Sequence, residues 1–222
     1  MTTLIFIRHA MSEGNHLGVC SGQLDYPLVE EGFSQAERTA VYLREHYSID
    51  AIYASDLCRT VQTARPTADA FGLEIVTDRR LREACVGAWE GQKWKELEQK
   101  YPQIFPFWMR FQMDRSDPRP EGAECREEIV ERVEAAIRDI VITHPDQCVA
   151  IFCHGRMLRA LSDTWKEKSP ALAEEMKQRN IKGFQGCSVT VAEYDNEARF
   201  IGVPLCHYRG FLQEAPHTKI NE

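Results

Sequence analysis

Five side chains, dispersed along a chain of 222 residues, are of the types that together could move a phosphoryl group. Arg8 and His9 stand in "LIFIRHAMSEGN", Arg59 in "SDLCRTVQTA", Glu83 in "RLREACVGAWEG", and His154 directly after "CVAIFC". Arginine presents a planar fork that binds phosphate oxygens two at a time. A neutral imidazole is a good nucleophile near neutrality, since its ordinary pKa is about 6.5. A covalent phosphohistidine would divide one difficult displacement into two easier ones. Positive groups would stabilise charge on the equatorial oxygens, and a carboxylic acid could protonate the leaving alkoxide and later activate water. With arginines supplying the positive charge, neither a metal nor a cofactor is required. Each residue alone has a plainer reading: a solvated helix arginine, a hydrogen-bonded core histidine, a loop acid, a salt bridge at a strand end. The repetition argues against these, because Arg8–His9 and His154 terminate two similar apolar runs.

Elements able to hold these residues follow from hydrophobic periodicity. Thr2–Ile7, Ala51–Ala54, Leu73–Thr77 and Cys148–Cys153 read as short strands. The last is apolar on both faces, as a central strand of a parallel sheet should be. Glu31–Tyr47, Asp56–Phe71, Glu124–Thr143 and Arg156–Trp165 read as helices. Asp56 is a candidate cap, and Pro66 is a point where its helix could bend or restart. Cys187–Tyr194 and Arg199–Val203, joined by "DNEA", read as a hairpin. Strands alternating with helices predict an α/β three-layer sandwich around a mostly parallel sheet. Ligands in such folds collect at the carboxyl ends of the strands, where all five residues would then meet. The chain is expected to form one domain over residues 1–222, with a helical insertion at about 94–122.

Composition sets limits on partners. The chain is 43% hydrophobic and 27% charged, with net charge -7 and pI about 5.6. That disfavours a nucleic-acid binder, which needs a basic face, but not a small anionic substrate held by a local arginine cluster. No apolar run is long enough to span a bilayer, and no basic region followed by a long apolar run opens the chain. The eight cysteines are scattered and form no C-x-x-C pair. Reduced thiols and a cytoplasmic location are expected, and no zinc site is supported.

The same residues carry a resemblance to the histidine phosphatase superfamily, which includes cofactor-dependent phosphoglycerate mutases and broad-specificity phosphatases. The family's opening R-H-G with a following Asn corresponds to "RHAMSEGN", and its next block to "SGQLDYPLVEEG". Ser55–Ala64, Leu81–Gly91 and His154–Gly155 match three further blocks in the family's order. The resemblance runs from Leu4 to about Arg159. It implies that His9 is the phosphorylated nucleophile, that Arg8, Arg59 and His154 hold the phosphoryl group, and that Glu83 is the proton donor. Asn15, Ser21, Gly22 and the Gly155 backbone would line the phosphate or substrate pocket. The implied fold is an α/β sandwich with an α-helical subdomain.

Two departures stand out. Ala10 replaces the usual glycine after R-H, and "AEC" (Ala123–Cys125) replaces the frequent G-E-S, putting a thiol where a hydroxyl is usual. Mutases of the family carry a longer insertion between the acid and the second histidine, with basic residues that grip a carboxylated substrate. Here Lys93, Lys95, Arg110, Arg115 and Arg119 lie in that stretch and are expected mostly to face solvent. The aromatics Phe105, Phe107, Trp108 and Phe111 are expected to pack the insertion onto the main domain. The reading is phosphomonoester hydrolysis of a small phosphorylated metabolite through phosphohistidine. Mutase chemistry is the alternative, and a non-enzymatic phospho-ligand or partner-binding module is a more distant one. A symmetric homodimer is the default assembly.

Overall fold

Along the first strand, β1 (Thr2–Arg8), side chains divide by parity, as the two-residue repeat of a strand requires. Leu4 and Phe6 enter one apolar cluster, while Ile5 and Ile7 enter another on the opposite face. The structure, a computed structural model, describes residues 1–110, 114–181 and 183–212. Its other strands are β2 (Ala51–Ala54), β3 (Ile75–Thr77), β4 (Cys148–Cys153), β5 (Val189–Tyr194) and β6 (Phe200–Tyr208), in the sheet order β3-β2-β4-β1-β5-β6. The pairs β3–β2, β2–β4 and β4–β1 are parallel, whereas β5 is antiparallel to both its neighbours. Only β5 therefore runs against the rest, and the sheet is mostly parallel.

The helices are α1 (Glu13–Leu17), α2 (Glu30–His46), α3 (Cys58–Phe71), α4 (Trp94–Lys100), α5 (Phe105–Arg110), α6 (Arg126–Thr143), α7 (Gly155–Lys168) and α8 (Pro170–Gln178). Stripes from α6 and α7, including Val133, Ile137, Met157 and Leu161, cover one face of the sheet. Tyr42 and Leu43 of α2 and Ala64 and Ala68 of α3 cover the other. The arrangement is a three-layer α/β sandwich, and β4 is apolar on both faces because both are covered.

Differences from the sequence reading are local. The helix predicted from Asp56 begins at Cys58, and Asp56 does not cap it. Asp25 takes the Cys58 N–H at 2.7 Å instead, while the Asp56 carboxylate binds Arg82 in a fork at 2.6 and 2.7 Å. That pairing, chiefly its hydrogen bonds, holds the Asp56 carboxyl below its ordinary pKa. Pro66 lies inside α3 without dividing it. The second hairpin strand extends to Tyr208, and α1 and α8 were not foreseen.

Helices α4 and α5 lie within the stretch 94–122. They contribute to a third apolar cluster of Cys20, Val86, Trp89, Leu97, Trp108 and Ala123. Trp89 meets Trp108 at a ring-centroid distance of 5.6 Å and Tyr101 at 5.2 Å. Trp108 is buried against the main domain, whereas Phe107 is exposed. Phe111 and the Arg110 side chain lie outside the described residues. Trp108→Ala should cost about 3–5 kcal/mol, the usual loss for a large buried aromatic. Denaturant unfolding measures this, and a change below about 1 kcal/mol would show that the cluster does not support the fold.

Candidate active site

The register of β1 against β4 brings the reactive groups together. Arg8 lies opposite Cys153, and the His9 N–H donates to the Cys153 carbonyl at 2.9 Å. His154 follows Cys153, so both histidines leave neighbouring parallel strands at the same end. Their ring centroids are 5.3 Å apart, and both side chains are almost wholly buried.

A single hydrogen bond fixes the protonation pattern of His9. Its Nδ1 lies 2.7 Å from the Ala10 carbonyl oxygen. A carbonyl can only accept, so Nδ1 carries the proton and the neutral ring has its lone pair on Nε2. The Ala10 N–H in turn donates to Thr63 Oγ1 at 3.0 Å, and that hydroxyl donates to the Arg59 carbonyl at 2.6 Å. The turn after R-H is thereby tied to α3. The Ala10 side chain itself packs into the cluster beneath the sheet and leaves this arrangement intact.

Arg59 occupies the first turn of α3 and is 1% exposed, so the solvated reading fails. Nη1 donates to the Leu24 carbonyl and Nη2 to the Gly22 carbonyl, both at 2.8 Å. Gly22 adopts φ +49°, and a Cβ there would lie 2.3 Å from Glu90 Oε1, which explains a glycine at this turn. Arg8 donates through Nη1 to the Phe184 carbonyl. Its guanidinium passes so near Gly155 that a Cβ would lie 3.0 Å from Nε, so this glycine makes room for the arginine. The Nε atoms of Arg8 and Arg59, Ser21 Oγ and both ring nitrogens of His154 are buried without a hydrogen-bond partner. Buried polar atoms rarely remain so, and this concentration marks a place where a polar ligand would satisfy them.

Glu83 is seated on the amino end of α7. Oε1 accepts from Ala84 N at 2.9 Å and Met157 N at 3.0 Å, and Oε2 accepts from Arg156 N at 3.2 Å. A carboxylate suits the positive end of a helix. Oε2 takes one protein donor and keeps a lone pair with which to exchange a proton.

A cleft of about 370 Å³ opens over these groups. Arg8, His9, Arg59 and Glu83 line it, as do Asn15, Ser21, Gly22 and Gly155. His154, the ninth expected residue, stands beside His9 rather than in the lining. Asn15 Oδ1 accepts from Ser12 Oγ at 3.0 Å within the turn that starts α1, leaving its amide N–H₂ as a donor. The expectation that these basic residues mostly face solvent holds for Lys93, Lys95 and Arg115, which are exposed, and neither they nor the half-buried Arg119 line the cleft. Sequence reasoning missed two arginines that do, Arg156 and Arg159. Their spacing of three on a helix opening at His154 was the available signal. Arg156 lies over the Trp108 and Trp94 rings, 4.4 and 5.4 Å from their centroids, a cation–π arrangement.

Burial governs the electrostatics. It lowers the pKa of Arg8 and Arg59, and brings that of Arg156 down to about 10, which leaves it charged at neutrality. His9 is held well below 6.5 by burial and then by Arg8 and Arg59, against the Ala10 hydrogen bond. His154 is lowered by burial, Arg59, His9 and Arg8. Both imidazoles are therefore neutral at pH 7. Cys20 also lines the cleft, but burial raises its thiol to about 12, so it is no competing nucleophile near neutrality. Cys125, the departure from G-E-S, is buried at the start of α6, where its N–H donates to Glu128 Oε2 at 2.8 Å.

Comparison with known proteins matches this geometry to a family. The model of the histidine phosphatase superfamily (branch 1) matches residues 4–203. Phosphoserine phosphatase 1 of Hydrogenobacter thermophilus is 35% identical over 162 residues, covering 72% of this chain and 74% of its own. A probable phosphoglycerate mutase of Enterobacter sp. (strain 638) is 33% identical over 195 residues, covering 87% of this chain and 86% of its own. Among solved structures, a mycobacterial glucosyl-3-phosphoglycerate phosphatase superposes with a TM-score of 0.79 at 26% identity, covering 93% of this chain and 99% of that one.

The lowered histidine pKa values predict how stability depends on pH. An unfolded imidazole takes a proton near pH 6.5, whereas His9 and His154 in the folded protein resist until well below it. The unfolded state binds more protons in that window, so stability present above about pH 6.5 is lost as pH falls toward the folded values. The denaturant midpoint should drop between pH 7.5 and 5, and His9→Asn should reduce that dependence. A midpoint independent of pH would contradict the neutral assignment.

Proposed function

The chain belongs to the histidine phosphatase superfamily, branch 1, and from that premise we propose that its cleft hydrolyses a small phosphomonoester by way of phosphohistidine. The observation that carries this reading is His9 itself: a buried neutral imidazole, protonated at Nδ1, with its Nε2 lone pair among arginines.

In the proposed mechanism, Arg8, Arg59 and His154 bind the non-bridging oxygens, and His9 Nε2 attacks phosphorus in line with the ester oxygen. As the N–P bond forms and the P–O ester bond breaks, Glu83, carrying a proton taken up with the substrate, gives it to the departing oxygen. Glu83 is then a carboxylate. It takes a proton from water as the water oxygen attacks phosphorus, the N–P bond breaks and inorganic phosphate leaves. His9 recovers its lone pair, and Glu83 again holds a proton. Asn15 and Ser21 supply further donors to the phosphoryl group or the substrate.

The relatives' names point to the substrate class. Phosphoserine and the phosphoglycerates are small phosphomonoesters bearing a carboxylate. Arg156 and Arg159 line the cleft beside the cage and supply the positive charge that a second anionic group on such a metabolite would need. Mutase chemistry is the second reading, favoured by the Enterobacter relative. It would require the phosphohistidine to be kept from water, and none of Lys93, Lys95, Arg115 and Arg119 is placed in the cleft to hold a product while its phosphate is returned.

A panel of phosphorylated metabolites, read by phosphate release, tests the reading. Phosphoserine and phosphoglycerates should lead it, and phosphate release should exceed interconversion of 2- and 3-phosphoglycerate. Interconversion in excess would select the mutase, and no phosphate release from any member would refute the proposal. His9→Ala should lower turnover by at least about a thousandfold. Retained activity would exclude His9 as nucleophile. Added EDTA should leave the rate unchanged, and strong inhibition would reveal a metal requirement.

A further inference from the structure

Glu83 must direct a proton at the leaving oxygen, yet it lies in a loop that belongs to no strand. Just beyond it, an isolated bridge pairs Val86 with Ala123, and the Ala88 N–H donates to the Glu121 carbonyl at 2.9 Å. One guanidinium behind the loop gathers several of its backbone groups. Arg132, on α6, uses all five of its N–H groups. Nη1 donates to the carbonyls of Arg80 at 2.7 Å and Arg82 at 2.8 Å, and Nη2 donates to that of Glu83 at 3.1 Å. Nε and Nη2 also fork onto the Glu124 carboxylate at 2.7 and 2.9 Å. Glu124 Oε2 accepts the Cys85 N–H at 2.8 Å, and the Glu124 N–H donates to the Cys85 carbonyl at 3.0 Å. Three carbonyls before Ala84 and both backbone groups just after it are thus held by one ion pair.

We infer that the Glu124–Arg132 pair is a positioning device that sets the angle at which Glu83 exchanges its proton with the substrate. The inference rests on the proposed role of Glu83 and goes beyond it to residues that never meet the substrate. Neither Glu124 nor Arg132 lines the cleft, and both are mostly buried. Five donors in one plane fix the loop in position and orientation. A lysine, with three donors on a flexible stem, would keep the charge but not the geometry. Small displacements of a proton donor are costly, because general-acid catalysis requires hydrogen-bond reach to the reacting oxygen. The loop is also tied on its other side, where Gln23 Nε2 donates to the Glu83 carbonyl at 3.1 Å. Loss of the arginine would therefore misalign the loop without releasing it.

The test compares Arg132→Lys and Glu124→Gln with the wild type in the full chain. It measures kcat/KM over phosphomonoesters from nitrophenyl to alkyl leaving groups, with pH profiles and thermal midpoints alongside. In Arg132→Lys the loss should grow with leaving-group basicity, from about threefold for the nitrophenyl ester to about a hundredfold for alkyl esters. The limb of the pH profile belonging to the proton donor should move. Glu124→Gln, the milder change, should steepen the same dependence less, and it gives the same readout should Arg132→Lys fail to fold. A loss equal across leaving groups with an unmoved pH profile would reduce the pair to a structural brace and overturn the inference. A wild-type protein that releases no phosphate from any of these esters would instead refute the functional reading, and the pair's role with it.

Discussion

Two guanidinium groups and two imidazoles, gathered where water is scarce, set the terms for everything around them. Charges of one sign repel, and each loses hydration on burial. The molecule meets this in two ways. The arginines remain charged and donate hydrogen bonds to the carbonyls of Gly22, Leu24 and Phe184 in place of water. The histidines give up their protons, and the state least costly to bury is also the one in which an imidazole is nucleophilic. Among the cleft's lining residues, four arginines face one carboxylate, so an incoming dianion supplies the charge that the protein withholds. An acidic protein of net charge -7 can thus present a strongly positive interior.

Helix α7 links several parts of the site. His154 is its N-cap, and Gly155, its first residue, leaves room for the Arg8 guanidinium. The next two N–H groups, of Arg156 and Met157, hold Glu83. The Arg156 side chain then reaches back to Trp94 and Trp108 of the insertion. Arg8, the Glu83 carboxyl group and the stretch carrying Trp94 and Trp108 therefore all meet one short helical turn.

The sheet and its strand ends were legible in the sequence because they follow from period and run length. "CVAIFC" is apolar at every position for the physical reason that both its faces are covered, and its bounds were read without error. His9, His154, Arg8, Arg59 and Glu83 could be named because residue type alone restricts their chemistry, and the resemblance set their order. Partnerships across the chain were not legible. Asp56 looked like a cap, but its partner Arg82 lies in a distant loop, while the residue that does serve α3, Asp25, comes from another. Nothing in the sequence sets Arg132 apart from the other polar positions of α6, and only the fold shows that it ties down the loop carrying Glu83. The roles of Arg156 and Arg159 depend on which way α7 turns after His154, a direction the pattern of apolar residues leaves open near a helix end.

The central claim is that phosphorus passes through His9, and the stereochemical course at phosphorus tests it most directly. A substrate made chiral at phosphorus with oxygen isotopes and sulfur would be hydrolysed in isotopically labelled water and the configuration of the product determined. Two in-line displacements, one onto Nε2 and one onto water, predict overall retention. Inversion would mean that water attacks the ester directly, and would contradict the account.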